Sequence, residues 1–132
     1  LWYGVYHTRS RQLRHASGGH PPALLLGPPG PDGQSVATAL RSPGLIVGVM
    51  PDLEYAAETV DVPEGSTLLV LCDGCFEIRA TDGSEGTFED FAGYMREAGT
   101  RPSGLADLFD WARVRHGEGP LDDDFSIVRV AF

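Results

Sequence analysis

Leu68-Leu69-Val70-Leu71-Cys72-Asp73-Gly74 decides the reading of this 132-residue chain. Leu68 to Cys72 is apolar at every position, the pattern of a strand buried on both faces. Such a strand needs a layer above it and a layer below it. Its far end delivers one carboxylate, Asp73, to a glycine turn. A second acidic element, Asp122-Asp123-Asp124, stands just before the closing apolar run Phe125 to Phe132. Two strands that each hold a carboxylate at one tip can build a site for a hard divalent cation.

Each half of that pattern has two readings. Asp73 either meets a cation or simply caps the turn with Gly74, as Asp-Gly commonly does. A carboxylate partly desolvated at the end of an apolar strand needs one of those partners. The three adjacent aspartates either relieve their repulsion on a cation or form a solvated acidic loop. Only one or two of them can face a given site, because alternate residues of an extended chain point to opposite sides. The joint placement beside strongly apolar strands favours Mg²⁺ or Mn²⁺, which need few carboxylates and keep several waters.

Working outward, residues 1–6 read as a strand and 12–17 as its hairpin partner. Gly18-Gly19-His20-Pro21-Pro22 breaks the pattern, 23–26 is a short strand, and 27–33 is a surface loop of turn residues. Residues 45–50 are apolar and end in the turn Pro51-Asp52. Residues 55–62 alternate in part, and Pro63-Glu64-Gly65 turns again. Thr87 opens a helix, with Asp90 three residues on completing a capping box. Phe88, Phe91, Ala92 and Met95 make its apolar stripe, Gly99 stops it and Pro102 lies beyond. Ser103 caps a second helix with Leu105, Leu108, Phe109 and Ala112 in the same spacing. Helices clustered rather than alternating with strands predict a layered α+β domain of mainly antiparallel sheets. The length fits one domain or most of one, and the start inside an apolar run at Leu1 leads us to expect that sequence precedes it.

The apolar fraction of 42% supports a core. A formal net charge of −9 and a pI near 4.7 oppose binding to a phosphate backbone, so nucleic acid is not an expected partner. No apolar run approaches the ~20 residues that span a bilayer. Cys72 and Cys75 lack the second pair that zinc requires, and no helical pattern follows them as in a redox motif. Cys72 is expected to pack as a small apolar residue, and the pair points to a reducing cytoplasm. His20 is either a ligand or a loop histidine bonded to backbone, and the second is the simpler. His7, His15 and His116 show no ligand spacing. Glu77 either orients the Asp73 turn or faces solvent; Arg113 and Arg115 either hold a phosphate or end a solvated helix.

Four segments in order now resemble a known family. They are Ala16-Ser17-Gly18-Gly19-His20-Pro21-Pro22, Gly44-Leu45-Ile46-Val47-Gly48-Val49, Leu71-Cys72-Asp73-Gly74-Cys75-Phe76-Glu77 and Asp123-Asp124-Phe125-Ser126. Together they are similar to the bacterial SpoIIE/RsbU-type branch of PP2C-like, metal-dependent serine/threonine phosphatases. The resemblance implies an α-β-β-α sandwich, here without its N-terminal part, spanning residues 1–132. It implies two Mn²⁺ or Mg²⁺ ions, with Asp73 and Asp123 as metal ligands, Gly74 and Asp124 in support, and no catalytic side chain beyond the ligands. The implied substrate is a phosphorylated protein of the anti-sigma-factor-antagonist type. Ser126 stands where the family commonly has threonine, and Cys75 and Phe76 replace smaller or β-branched residues. The family's upstream Gly-Asp and Gly-His-Gly turns have no counterpart here. These 132 residues alone are therefore expected to hold metal weakly and hydrolyse little, and their bare sheet surface leaves them open to dimerisation or aggregation. The alternatives are a non-catalytic regulatory module of the same fold and, lower, an unrelated Ca²⁺-binding domain, for which no EF-hand pattern is present.

Overall fold

The structure, a computed structural model, describes residues 1–98, 101 and 103–132. In chain order its elements are β1 (Trp2–His7), β2 (Gln12–Ser17), β3 (Ala23–Pro29), β4 (Ser35–Leu40), β5 (Glu58–Asp61), β6 (Thr67–Leu71), α1 (Phe88–Ala98), α2 (Gly104–His116) and β7 (Ile127–Ala131). Two antiparallel sheets result, ordered β1-β2-β5 and β4-β3-β6-β7.

Period-two alternation divides β3 between two cores. Ala23 and Leu25 face the first sheet and pack with Leu13, Leu40, Val62 and Leu68. Leu24 and Leu26 face the helices and pack with Leu69, Leu71, Phe91, Met95 and Leu108. β6 lies between β3 and β7 and feeds both cores, as its unbroken apolar run predicts. Three layers follow: sheet, sheet, helices. The outer face of β1-β2-β5 carries Tyr3 and Val5, 64% and 40% exposed.

The Thr87–Asp90 capping box is realised in full. Asp90 Oδ2 accepts from the Thr87 N–H at 2.9 Å, and Thr87 Oγ1 accepts from the Asp90 N–H at 3.2 Å. Phe88, Phe91 and Met95 are buried along the predicted stripe. Gly99 and Pro102, the expected stop signals, lie outside the described residues. Ser103 precedes α2, but its hydroxyl donates to Asp107 Oδ2 at 2.9 Å and caps no backbone N–H.

Other expectations need correction. The turn-rich stretch 27–33 is the end of β3 and the tip of a hairpin to β4. Pro28 and Pro29 are tolerated because the ladder shifts register between Leu26 and Pro29. β4 escapes the alternation test because Ala37 and Ala39 present little apolar contrast. Residues 45–50 form an exposed loop, in which Leu45, Ile46, Val47, Val49 and Met50 all reach solvent. β7 is less covered than its sequence implies: it is an edge strand, and Val128 and Val130 are exposed.

Candidate functional site

The antiparallel ladder between β6 and β7 ends with Leu71 opposite Ile127. One further bond carries it past the strand ends, from the Cys72 N–H to the Ser126 carbonyl at 3.0 Å. The chain beyond Cys72 closes at once into a single 3₁₀ turn, Asp73–Cys75. The Asp73 carbonyl accepts from the N–H groups of both Phe76 and Glu77 at 2.9 Å, which fixes the turn. Because β6 and β7 are neighbours, that turn must meet the chain arriving at β7, and that chain carries the second acidic element.

The meeting point is Gly74. A Cβ there would lie 2.2 Å from the Asp124 carbonyl oxygen and 3.3 Å from the Asp123 Cβ. Only a residue without a side chain allows this approach. Asp73 precedes the contact and Asp123 forms part of it, so both predicted residues stand at one end of one sheet. Each carboxylate has one oxygen committed locally: Asp73 Oδ1 accepts from the Gly74 N–H at 3.1 Å, and Asp123 Oδ1 from the Asp124 N–H at 2.7 Å. The second oxygen of each accepts no hydrogen bond among the described residues.

Both aspartates are exposed, which corrects the expectation that Asp73 is partly desolvated. The strand buries its side chains only as far as Leu71, and the turn carries the next carboxylate out of the core. The acidic triplet is divided in its duties. Asp122 Oδ1 lies 3.6 Å from His116 Nε2, tying it back to α2. Asp123 faces the turn, and Asp124 contributes its backbone carbonyl.

Cys72 does more than fill space. Its thiol donates to the Asp124 carbonyl at 3.0 Å, and its sulfur accepts from the Ser126 N–H at 3.1 Å. Together with Gly74 it clamps the two acidic turns to each other. The Cys75 thiol donates to the Ser126 carbonyl at 3.3 Å and is fully buried. Burial first, and the neighbouring Cys72 second, push its pKa up to about 12, so it stays a neutral thiol. No sequence signal marks the clamp, because its partners lie more than fifty residues away.

His20 sits in a turn closed by Ser17. Its ring Nδ1 lies 2.9 Å from the Pro21 carbonyl, which can only accept, so Nδ1 carries a proton. The loop reading thus describes its backbone. Glu77 is exposed and joins the Asp73 turn through its N–H alone. Arg115 lies 3.4 Å from Asp90 and ties α2 to α1, while Arg113 is exposed.

An all-oxygen donor set of two carboxylates suits a hard cation such as Mg²⁺ or Mn²⁺, which fills its remaining positions with water and phosphate oxygen. Among the described residues no three His, Cys, Asp or Glu side chains converge as a metal-binding group. The pair therefore fits as part of a metal shell and is short of two.

The comparisons agree with this architecture. The family profile described as Stage II sporulation protein E (SpoIIE) matches residues 1–132. The SiaA-PP2C domain of Pseudomonas aeruginosa aligns with a TM-score of 0.71 at 22% identity, over 94% of this chain and 48% of that one. The PP2C phosphatase domain of SpoIIE from Bacillus subtilis, with a fragment of its regulatory domain, aligns with a TM-score of 0.72 at 18% identity, over 98% and 36%. Protein IcfG of Synechocystis is 22% identical over 137 residues, which cover 98% of this chain and 20% of IcfG. The chain spans about a fifth of that curated relative and at most 48% of those two solved chains. Likeness at such identities shows the fold, two antiparallel sheets with helices packed on one, as in PP2C phosphatase domains. Matched from its first residue to its last, the chain belongs to the SpoIIE family.

Proposed function

We propose that this chain supplies the Asp73–Asp123 part of the metal centre of a PP2C-type serine/threonine protein phosphatase acting on a phosphorylated protein of the anti-sigma-antagonist type. The observation that carries the reading is the contact at Gly74, which holds two acidic turns from distant sequence at one sheet end. Bound Mn²⁺ or Mg²⁺ would supply an acidified water and charge neutralisation of the phosphate. Asp73 and Asp123 would hold the metal through their uncommitted oxygens. Gly74 and the Cys72 thiol keep the spacing of the two carboxylates fixed, a supporting role of the kind that tunes metal affinity. Exposure of both carboxylates leaves room for a phosphorylated side chain on a folded partner to approach.

The experiment is hydrolysis of a phosphoserine peptide by the full-length protein with Mn²⁺, before and after chelation. Asp73→Asn and Asp123→Asn are each expected to lower kcat at least about 100-fold. Their melting temperatures should stay near wild type, because exposed substitutions of this kind change stability by about 0.5 kcal/mol or less. Wild-type rates in both variants would end the catalytic reading. A second reading, a non-catalytic regulatory module, is favoured by the lack of a third converging ligand among the described residues. It predicts phosphopeptide or partner binding with no metal-dependent turnover.

A further inference from the structure

A cleft of about 400 Å³ opens beside Ser17, His20, Pro22, Arg41, Ser42 and Pro43. It lies at the same end of the sheet as Asp73. Leu40, the last residue of β4, pairs with Ala23, the first of β3. β3 runs antiparallel to β6, with Leu24 opposite Leu69, so the start of β3 adjoins the end of β6 and the Asp73 turn. Cleft and Asp73 are thus separated by one to two strand spacings, about 5–10 Å along the sheet edge, with β7 and Asp123 on the far side of β6.

The chain carries 19 acidic residues against 10 basic ones, yet no carboxylate lines the cleft. Arg41 offers a guanidinium, which only donates. Ser42 Oγ accepts from the Ser17 N–H at 2.6 Å, which leaves its own hydroxyl proton free to donate. His20, whose Nδ1 lies 2.9 Å from the Pro21 carbonyl, also lines the cleft. Arg41 lies over the Phe88 ring, 5.6 Å from its centroid, and its ion-pair partner Glu89 is 3.5 Å away with both charged side chains largely exposed. An incoming carboxylate competes with Glu89 for the same guanidinium.

We propose that this cleft binds the substrate polypeptide beside its phosphorylated residue and selects an acidic side chain there through Arg41. An extended peptide advances about 3.3 Å per residue, so the selected residue stands two or three positions from the phosphoserine. The proposal rests on the phosphatase reading and adds to it a substrate preference.

The test is the affinity of the full-length protein, with Mn²⁺, for peptides bearing a non-hydrolysable phosphonate in place of phosphoserine. One series carries Glu two or three residues away and the other carries Gln. Wild type should prefer Glu by about fivefold. Arg41→Ala should erase the preference, Arg41→Glu should invert it, and Glu89→Gln should enlarge it. Equal affinities for both series in wild type, no binding of either, or a preference that survives Arg41→Glu would overturn the proposal. The two readings fail separately. An Arg41-dependent preference without turnover of any phosphopeptide removes the phosphatase and leaves the cleft. Turnover without the preference does the reverse.

Discussion

Gly74 is the residue on which the site's geometry turns. A methyl group there meets the Asp124 carbonyl, and backbone cannot move aside as a flexible side chain does. Gly74→Ala is therefore expected to destabilise the fold by about 1–3 kcal/mol. It should also separate the two acidic turns, so that Mn²⁺ affinity falls along with the denaturation midpoint. Chemical denaturation with and without Mn²⁺ checks both, and an unchanged midpoint would contradict the close approach. At this scale the sequence was partly legible. An Asp-Gly pair after an apolar strand marked the turn, and an acidic triplet before the last strand marked its partner. That Asp73 is exposed, and that the Cys72 thiol bridges to Asp124 and Ser126, depends on strand pairing across more than fifty residues, which no local pattern encodes.

Elements were legible in proportion to their apolar contrast. β6 and the stripe of α1 have it, and both form as read. β4, with two alanines facing the helices, does not. Residues 45–50 show the opposite failure, since apolar residues there meet no partner layer and reach solvent. The capping box of α1 was visible because Thr-x-x-Asp is a local device needing no tertiary partner. Thr87→Ala should cost about 1 kcal/mol in thermal or chemical unfolding. The bonds from Thr87 hold the Asp90 carboxyl below its ordinary value of 3.8. A carboxyl with a lowered folded-state pKa stabilises the native state above its unfolded value and loses that contribution as pH falls through the folded one. Wild type should therefore lose part of α1's stability below about pH 4, and Thr87→Ala should lose less over the same range. Asp90 is exposed, so the difference is small and shrinks with added salt. Identical acid titrations of the two proteins would contradict the capping argument.

Over the whole molecule, two cores hold three layers in order, and β6 belongs to both. The helical layer is anchored at Phe91, fully buried against Leu24, Leu26 and Leu69. Phe91→Ala should destabilise by about 3–5 kcal/mol, read as a lower denaturation midpoint. A drop below about 1 kcal/mol would show that the helices are not part of the cooperative core. The layered α+β architecture was legible because clustered helices and a two-faced strand leave few other arrangements. The pairing of β5 onto β2 was not, since four residues, three of them exposed, carry little pattern.

The central claim is that Asp73 and Asp123 act on one metal ion rather than as separate caps of separate turns. The most direct measurement is a double-mutant cycle on Mn²⁺ affinity in the full-length protein, by titration calorimetry, with Asp73→Asn, Asp123→Asn and both together. A shared ion predicts that each single change weakens binding at least about tenfold and that the double variant falls well short of the product of the two losses. Losses that multiply fully, or a single variant that binds Mn²⁺ as tightly as wild type, would contradict the account.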